Sequence, residues 1–391
     1  MNTFFNLRRA KPIHLRLSQN HMATTFDFTL SFESSHLSSL KKHFYEKLLN
    51  ESHQLVSHIE KQISEYLPES PVFQLNHSKP EEKIQANDTT LELLRQSQWI
   101  EEKTNGAFHC LAKSKSLPLR QNEQTIKNWP IQIDFENKII WKTHFDVWCG
   151  FGAIGKGYAL DQVRKHLELH GVSDYLLVGG GSSISLAGFA SESTPWKWGW
   201  NWQKNESGIP LGIQFSHHSG KPISIGVSGL QEKGHHIIDC RKQYSVPSSD
   251  FSHPLSSLVA HPSASMADAL STALFVSGWD LSIQNFNHFS QPPAMALIDP
   301  NQNIRWNGLF QQLWKIPFLF LFFILGFSKA SFADEALDLS SLGSDHFNPY
   351  LFERMGYWTL LPLFGILAIF THLKKPPKTS GSILSNADTG R

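Results

Sequence analysis

Cysteine is scarce in this sequence, which has three in 391 residues, at positions 110, 149 and 240. Their wide spacing does not match a structural zinc site, and so few separated thiols favour a reducing, cytosolic setting. An excess of charge of one sign is also lacking, because 35 Lys and Arg balance 34 Asp and Glu to give a net charge of +1. No broad basic surface for nucleic acid is therefore expected.

Apolar runs long enough to cross a membrane unaided are also lacking. The two most apolar stretches, 316–327 and 357–370, are each shorter than the roughly 20 residues of a full span. With their flanks they extend to about 313–332 and 357–373. Lysines outside the pair and an acidic segment between them predict a membrane hairpin with both flanks inside the cell. Buried core helices, or an internal secretion-like signal ending before Asp334, are the alternatives.

The glycine fingerprints of common nucleotide-binding folds are absent as well. Four glycines within 150–157 precede a predicted amphipathic helix, but their spacing fits neither a Walker loop nor the dinucleotide motif. A glycine-rich turn that enters a helix still exposes backbone N–H groups to an anion, and Lys156 adds positive charge. The segment is compatible with a phosphate site or with a tightly packed turn.

Residues 257–278 combine a polar lead-in with one predicted buried helix. Asp268, Ser271 and Thr272 interrupt its apolar positions, and residues three and four apart on a helix are neighbours. One carboxylate and two hydroxyls in a single patch suit a hard cation such as Mg²⁺. The alternative is structural, with the acid favouring the helix dipole and the hydroxyls bonded back to carbonyl oxygens.

Strands and helices alternate along the chain, which predicts an α+β, or mixed α/β, domain. Helices are expected at 40–66 and 90–103, the second capped by Thr89 or Thr90, and after a cap at Ser263 or Ser265. Strands are expected at 22–33, 132–142 (a hairpin), 175–178, 196–202 (with an aromatic face), 224–230 and 235–239. The last two are predicted to pair across a turn at 231–234.

Several short segments, taken in order, resemble the motifs of one known family. They are MATTF at 22–26, SEYLPESPVFQLN at 64–76, TNGAF at 104–108, GAIGKGYALD at 152–161, HHIID at 235–239 and ADALSTALFVSG at 267–278. Together they resemble the ApbE family, the FAD:protein FMN transferases, over roughly residues 22–307. Each match is short, and the shared order and spacing identify the family.

The resemblance implies an enzyme that uses Mg²⁺ to split FAD and places FMN on a Ser or Thr hydroxyl of an acceptor flavoprotein, with release of AMP. Such chemistry asks the protein mainly for positioning and charge neutralisation. FAD is then a substrate, Mg²⁺ a cofactor, and the acceptor flavoprotein a partner. The chain has no clear acceptor motif of its own, so self-flavinylation is not expected.

By motif position, the resemblance also implies roles for individual residues. The metal would be held by Asp268, Ser271, Thr272 and the main-chain oxygen of Ala153. FAD would be contacted by Met22, Tyr66, Ala107, Phe108, His109, Gly150, Lys156 and Ile238. His236 stands at the histidine of the HHIID motif and is the candidate for proton transfer, because a histidine near neutral pKa can act as a base.

Four positions depart from the family pattern. Gly150 stands where the second motif usually begins with an Asp, and His109 replaces an acid of the TGGAFD pattern. The DPRTG turn is reduced to DCRKQ at 239–243, and the family's Asn after the glycine pair is absent near Gly181. The expected metal ligands are retained, whereas acids and turn residues expected around the flavin and the acceptor are not.

These observations predict an ApbE-like (T-fold-like) domain of two subdomains at 21–310, after an N-terminal extension at 1–20. A C-terminal hydrophobic helical hairpin would follow at 311–375, and a disordered tail at 376–391. The expected location is the inner (cell) membrane, with the catalytic domain cytoplasmic. Two alternatives to transfer stay open: a degenerate membrane-tethered module that binds flavin without activity, and an FAD diphosphatase that forms FMN and AMP.

Overall fold

The structure is a computed structural model that describes residues 12–33, 38–114, 129–191, 194–204, 210–229, 237–241, 244–246 and 253–314. All of them lie within one unit of the chain, Met1–Lys329. The strands are β1 (Pro12–His21), β2 (Thr24–Glu33), β3 (Ile84–Gln85), β4 (Ile131–Asp134), β5 (Ile139–Lys142), β6 (Tyr175–Gly179), β7 (Ser183–Ala187), β8 (Trp196–Lys204), β9 (Pro210–His217), β10 (Ile223–Gly229), β11 (Ile237–Asp239), β12 (Tyr244–Val246), β13 (Ser256–His261), β14 (Ala294–Ile298) and β15 (Ile304–Trp306). The helices are α1 (Ser39–Ile63), α2 (Pro71–His77), α3 (Asp88–Lys103), α4 (Gly155–Leu169), α5 (Ala264–Ser277), α6 (Trp279–Phe286) and α7 (Gly308–Trp314).

One large sheet organises these elements. Its eight strands follow the order β1-β2-β6-β7-β10-β13-β14-β15, and every neighbouring pair is antiparallel. Successive side chains of a strand point to opposite faces. In β13, Leu258 and Val259 are both buried but belong to different hydrophobic clusters. The central strands are therefore covered on both faces, which explains why β7, β13 and β14 are buried along their whole length.

The two faces of the sheet are covered in different ways. α1, α3, α4 and α5 contribute buried residues to the larger cluster. The smaller cluster joins the other face of the sheet to the β8–β9 hairpin and α7. Trp196, Trp198 and Trp200 alternate along β8 and are buried there, together with Phe310 and Trp314 of α7. The predicted strand with an aromatic face is confirmed, and that face packs in the core.

The two long N-terminal helices form close to the ranges predicted for them. α1 follows Ser38, whose hydroxyl caps its first turn, and is followed by Ser64 at its C-cap. α3 follows Asn87, whose side-chain oxygen accepts the N–H of Thr90 over 2.9 Å. The predicted cap at Thr89 or Thr90 is therefore wrong, because both threonines lie inside the helix. For α5, the cap is Ser263, one of the two serines proposed.

The predicted pairing of 224–230 with 235–239 is wrong. β10 lies between β7 and β13, and β11 pairs with β12. Both edges of β10 are occupied, as expected for a strand whose first four residues are all buried. The hairpin predicted at 132–142 is confirmed as β4 and β5, with β3 as a third strand. Residues 12–20, assigned above to an N-terminal extension, lie in a strand that pairs with β2.

The C-terminal predictions fall almost entirely outside the described residues, which end at Trp314. Trp314 is expected at the start of the first predicted hairpin helix, at about 313–332. It is instead a buried residue of α7, with its ring centroid 5.2 Å from that of Trp198. In the described part of the chain, no helix is both long enough and apolar enough to span a bilayer.

Candidate functional site

The candidate site is built where the first turns of α4 and α5 cross. The main-chain N–H of Gly157 in α4 donates to Oδ2 of Asp268 in α5 over 2.8 Å. In return, the N–H groups of Ala264 and Ser265 at the start of α5 donate to the Asp161 carboxylate of α4 over 2.8 and 3.0 Å. Each helix therefore supplies a carboxylate to the unpaired amides at the start of the other.

Glycine at 157 allows this close crossing. A Cβ atom there would lie 2.1 Å from the carbonyl oxygen of Ala264. Gly226 of β10 allows a similarly close approach on the sheet side of α5. A Cβ atom there would lie 2.3 Å from the carbonyl oxygen of Ala267. Backbone atoms cannot move aside as a flexible side chain can, so α5 is held tightly between α4 and β10.

Asp268 is buried at this crossing, with 6 % of its surface exposed. Besides the Gly157 N–H, the Ser183 hydroxyl of β7 donates to Asp268 Oδ2 over 2.7 Å. Burial raises the pKa of Asp268 to about 6, against the opposing effects of Lys156 and these two hydrogen bonds. The carboxylate is therefore charged near neutral pH in surroundings that favour pairing with a cation.

Three hydroxyl groups form a cluster beside Asp268, and two of them lie within one turn of it on α5. Ser271 Oγ donates to the main-chain oxygen of Asp268 over 2.8 Å, and Thr272 Oγ1 lies 3.4 Å from the same oxygen. Ser228 of β10 joins them, with its Oγ 2.8 Å from Ser271 Oγ and 3.2 Å from Thr272 Oγ1. The alternative interpretation of this helix, in which the hydroxyls bond back to carbonyl oxygens, predicts these hydrogen bonds, and they are present. They still leave acceptor lone pairs on these hydroxyls, so a ligand role remains compatible with them.

The donor set has the composition that Mg²⁺ prefers. α5 brings together the predicted ligands Asp268, Ser271 and Thr272, and Ala153 lies in the loop just before α4. Across the described segments, no three His, Cys, Asp or Glu side chains are grouped so that they could hold a metal. A cation here would therefore depend on one carboxylate, on hydroxyl and carbonyl oxygens, and on water.

A second group of predicted residues lies around Gly150. Its N–H donates to the carbonyl oxygen of Cys110 over 2.8 Å, which joins the loop before α4 to the segment after α3. Ala107 and Phe108 of that segment are buried and belong to the larger hydrophobic cluster. Their side chains therefore pack in the core and fix the position of the backbone beside Gly150.

His109, in the same segment, is buried beside a carboxylate. Its Nε2 lies 3.3 Å from Oε2 of Glu101, which also accepts the Trp129 Nε1–H over 2.9 Å. The N–H of Leu111 donates to His109 Nδ1 over 3.0 Å, which assigns the ring proton to Nε2, facing Glu101. The acid that the family pattern expects at position 109 is thus replaced by a histidine with an acid next to it, on α3.

Met22 lies in the two-residue turn between β1 and β2. Met22 and Ala23 have φ angles of 51° and 58°, a left-handed conformation that is strained for residues other than glycine. Glu60 of α1 holds the turn by accepting the Met22 N–H over 2.8 Å. His21, the next residue back, packs against His53, with 3.2 Å between their ring nitrogens. Strain at a buttressed turn of this kind is typical of ligand-binding positions.

The remaining predicted residues lie on separate elements. Tyr66 follows α1 and is 72 % exposed, Lys156 lies in the first turn of α4, and Ile238 is half-buried in β11. His236 lies outside the described residues, so its role stays a prediction. Lys156 thus acts electrostatically on Asp268, and Gly150 is hydrogen-bonded to the segment that contains Ala107.

Five polar residues around these two groups are not among the predicted site residues: Asp161, Ser183, Ser228, Glu65 and Glu101. Asp161 had a signal, because it closes the matched segment GAIGKGYALD. The others had no local signal. Ser183, for example, contacts a residue 85 positions later in the chain, and such a contact follows from the sheet order, which the sequence does not state.

The sequence profile of the ApbE family matches residues 22–295. None of the curated proteins matches the chain by sequence. Among solved structures, the chain is similar to the flavin transferase ApbE from Vibrio cholerae, with 18% identity and a TM-score of 0.62 over 78% of this chain and 100% of that one.

Two further structures give similar values. The apo form of the flavinyl transferase ApbE from Pseudomonas stutzeri is 18% identical, with a TM-score of 0.62 over 78% of this chain and 98% of that one. The ApbE protein from Thermotoga maritima is 18% identical, with a TM-score of 0.60 over 77% of this chain and 99% of that one. Likeness at this level of identity shows the fold, and it confirms the predicted mixed α/β architecture.

Proposed function

The chain belongs to the ApbE family of flavin transferases, and on that ground we propose that it is an FAD:protein FMN transferase. It would move FMN from FAD to a Ser or Thr hydroxyl of an acceptor flavoprotein, with Mg²⁺ as cofactor and AMP as the second product. The main support is the buried Asp268 carboxylate, which lies beside hydroxyls at the crossing of two helix starts, next to Lys156.

We assign metal binding and charge neutralisation to different residues of this site. Asp268, Ser271, Thr272 and the main-chain oxygen of Ala153 would hold Mg²⁺, which when bound neutralises charge on the pyrophosphate. Oδ2 of Asp268 already accepts two hydrogen bonds, so Oδ1 is the oxygen we assign to the cation. Lys156 and the amides at the start of α4 add positive charge to the same region.

Transfer also requires that a proton be taken from the acceptor. The acceptor hydroxyl oxygen forms a bond to the phosphorus of the FMN phosphate, the bridging P–O bond breaks, and AMP leaves with the bridging oxygen. His236 is the residue we assign to take up the hydroxyl proton. The rest of the chain's contribution is to hold the pyrophosphate and the acceptor oxygen in place.

A transfer assay tests this proposal directly. The full chain, incubated with FAD, Mg²⁺ and an acceptor domain, should yield an acceptor that carries one FMN group on each modified hydroxyl. One AMP should be released for each FMN transferred. Mass spectrometry and nucleotide chromatography measure the two products, and the acceptor with its target hydroxyl residue changed to alanine is the control. AMP formed equally without acceptor would favour the diphosphatase, and FAD retention without AMP would favour the binding module. Either result contradicts the proposal.

Mg²⁺ binding should weaken as the pH falls through about 6, the pKa of Asp268. This folded-state pKa is raised above the ordinary 3.8, so between the two values the folded apo protein holds a proton that the unfolded chain has lost. Mg²⁺ must displace that proton, which lowers its affinity up to about tenfold per pH unit. The gain in Tm caused by Mg²⁺ should therefore shrink between about pH 7 and about pH 5. A constant gain would contradict the assignment of Asp268.

The membrane hairpin and the cytoplasmic placement of the domain stay proposals. Their support is the pair of apolar runs near the C-terminus and the charges around them, all beyond Trp314. Trp314 itself gives no support, because it packs against Trp198 in the core.

A further inference from the structure

The space beside Gly150 is occupied by a carboxylate from another part of the chain. A Cβ atom built on Gly150 would lie 3.2 Å from Oε1 of Glu65 and 3.4 Å from Oε2. Glu65 lies between α1 and α2, far from position 150 in sequence. Its two carboxylate oxygens therefore lie close to where the carboxylate of an aspartate at position 150 would be.

Glu65 is held firmly in this position. Lys113 Nζ donates to Oε1 over 2.6 Å, and Trp148 Nε1 donates to Oε2 over 2.7 Å. The Glu65 side chain is only 10% exposed. Two donors fix the carboxylate from two sides, and each oxygen keeps lone pairs for a further donor. Trp148 is itself two residues before Gly150, so the acid is attached to the same loop that a residue at 150 would belong to.

An exposed aromatic side chain follows this carboxylate in the chain. Tyr66 follows Glu65 and is 72 % exposed, and Lys113 Nζ lies 3.4 Å from its hydroxyl and 5.6 Å from its ring centroid. A large exposed aromatic beside a fixed acceptor is an arrangement that suits a planar ring with an N–H group, because the ring can stack while its N–H is accepted. FAD has two such rings, isoalloxazine and adenine.

We propose that Glu65 is a substrate-binding residue that supplies, from the α1–α2 connection, the acid missing at position 150, and that it accepts an N–H of one of the rings of FAD. This inference rests on the proposed function, since it names FAD as the ligand. It also explains why position 150 is glycine. A side chain there would crowd Glu65, and an acid would place two negative charges side by side.

A single acid, at position 65 or at position 150, should be sufficient for FAD binding. Glu65→Gln should weaken FAD binding about tenfold, because a charge-assisted hydrogen bond becomes a neutral one. Gly150→Asp should also weaken binding, through crowding and repulsion. The double variant Glu65→Ala with Gly150→Asp should recover affinity to within about threefold of wild type, because one acid is again present in that space. Glu69→Gln, at an exposed acid in the same connection, is the matched control and should change nothing.

Binding is measured by titrating the full chain with FAD, FMN and ADP, with thermal denaturation of each variant as the check on folding. Loss of FMN affinity in Glu65→Gln would assign the isoalloxazine ring, and loss of ADP affinity would assign adenine. FAD affinity unchanged by Glu65→Gln, or no recovery in a folded double variant, would overturn the inference. Failure of the proposed function is a different result, in which the wild-type chain itself binds no FAD or transfers no FMN.

Discussion

Replacing Asp268 by asparagine is expected to abolish FMN transfer, lowering its rate by at least about a thousandfold. An amide can still accept the hydrogen bonds of the Gly157 N–H and the Ser183 hydroxyl, so the local structure should persist. The amide lacks the charge that holds a divalent cation, and the hydroxyls of Ser271 and Thr272 are weak ligands without it. The rate is measured by mass spectrometry of the acceptor under saturating FAD and Mg²⁺.

Stability measurements separate the two roles of Asp268. Burial raises the pKa of this group to about 6, so above that pH its charge opposes folding of the apo protein. Asp268→Asn removes that cost and should leave Tm unchanged or higher. Asp268→Ala leaves the Gly157 N–H and the Ser183 hydroxyl without their acceptor and should cost about 2 kcal/mol.

A matched control for Asp268→Asn is Asp280→Asn on α6, where the side chain is 86% exposed. That variant should alter neither transfer nor Tm, because an exposed charge is screened by water. A near wild-type transfer rate in Asp268→Asn would rule out the metal site. A large fall in Tm in the same variant would show that the charge, and not the hydrogen bonding, holds the two helices together.

The second large effect is expected for Gly157→Ala, which should lower the free energy of unfolding by about 3 kcal/mol or more. The added methyl group would lie 2.1 Å from the carbonyl oxygen of Ala264, so α4 and α5 would have to move apart. That movement would also lengthen the hydrogen bond from Gly157 to Asp268. Urea denaturation of the apo protein measures the loss.

Gly152→Ala is the control for this variant. Gly152 belongs to the same glycine-rich segment, but a Cβ atom there would have nothing within 4 Å. The change in its unfolding free energy should stay within about 0.5 kcal/mol. Equal stability of the two alanine variants would mean that the helices do not cross as closely as described.

The grouping of the carboxylate and hydroxyls on α5 could be predicted because it depends on local geometry alone. Asp268, Ser271 and Thr272 are three and four residues apart, so any helix through them places them together. The partners of this group could not be predicted in the same way. Ser183 and Ser228 reach α5 from two strands, and their proximity follows from the order of the sheet.

The wrong strand pairing has a related cause. Residues 231–234 contain a glycine between two predicted strands, which locally favours a hairpin. β10 is nevertheless a central strand between β7 and β13. Its alternation of Ile223, Ile225 and Val227 with serine and glycine predicts a strand but does not identify the strands beside it. Glu65 illustrates the same limit, because an acid lost at one position and supplied from another is visible only when both are seen together.

The exchange of carboxylates between α4 and α5 has a consequence for how related sequences should be compared. Asp268 bonds the start of α4 whether or not a metal or nucleotide is ever present, just as Asp161 bonds the start of α5. Natural selection for folding alone would therefore preserve an acid or amide at 268 in a lineage that had given up catalysis. Divergence of activity among descendants should instead be sought at positions such as 65 and 150, neither of which bonds the start of α4 or α5.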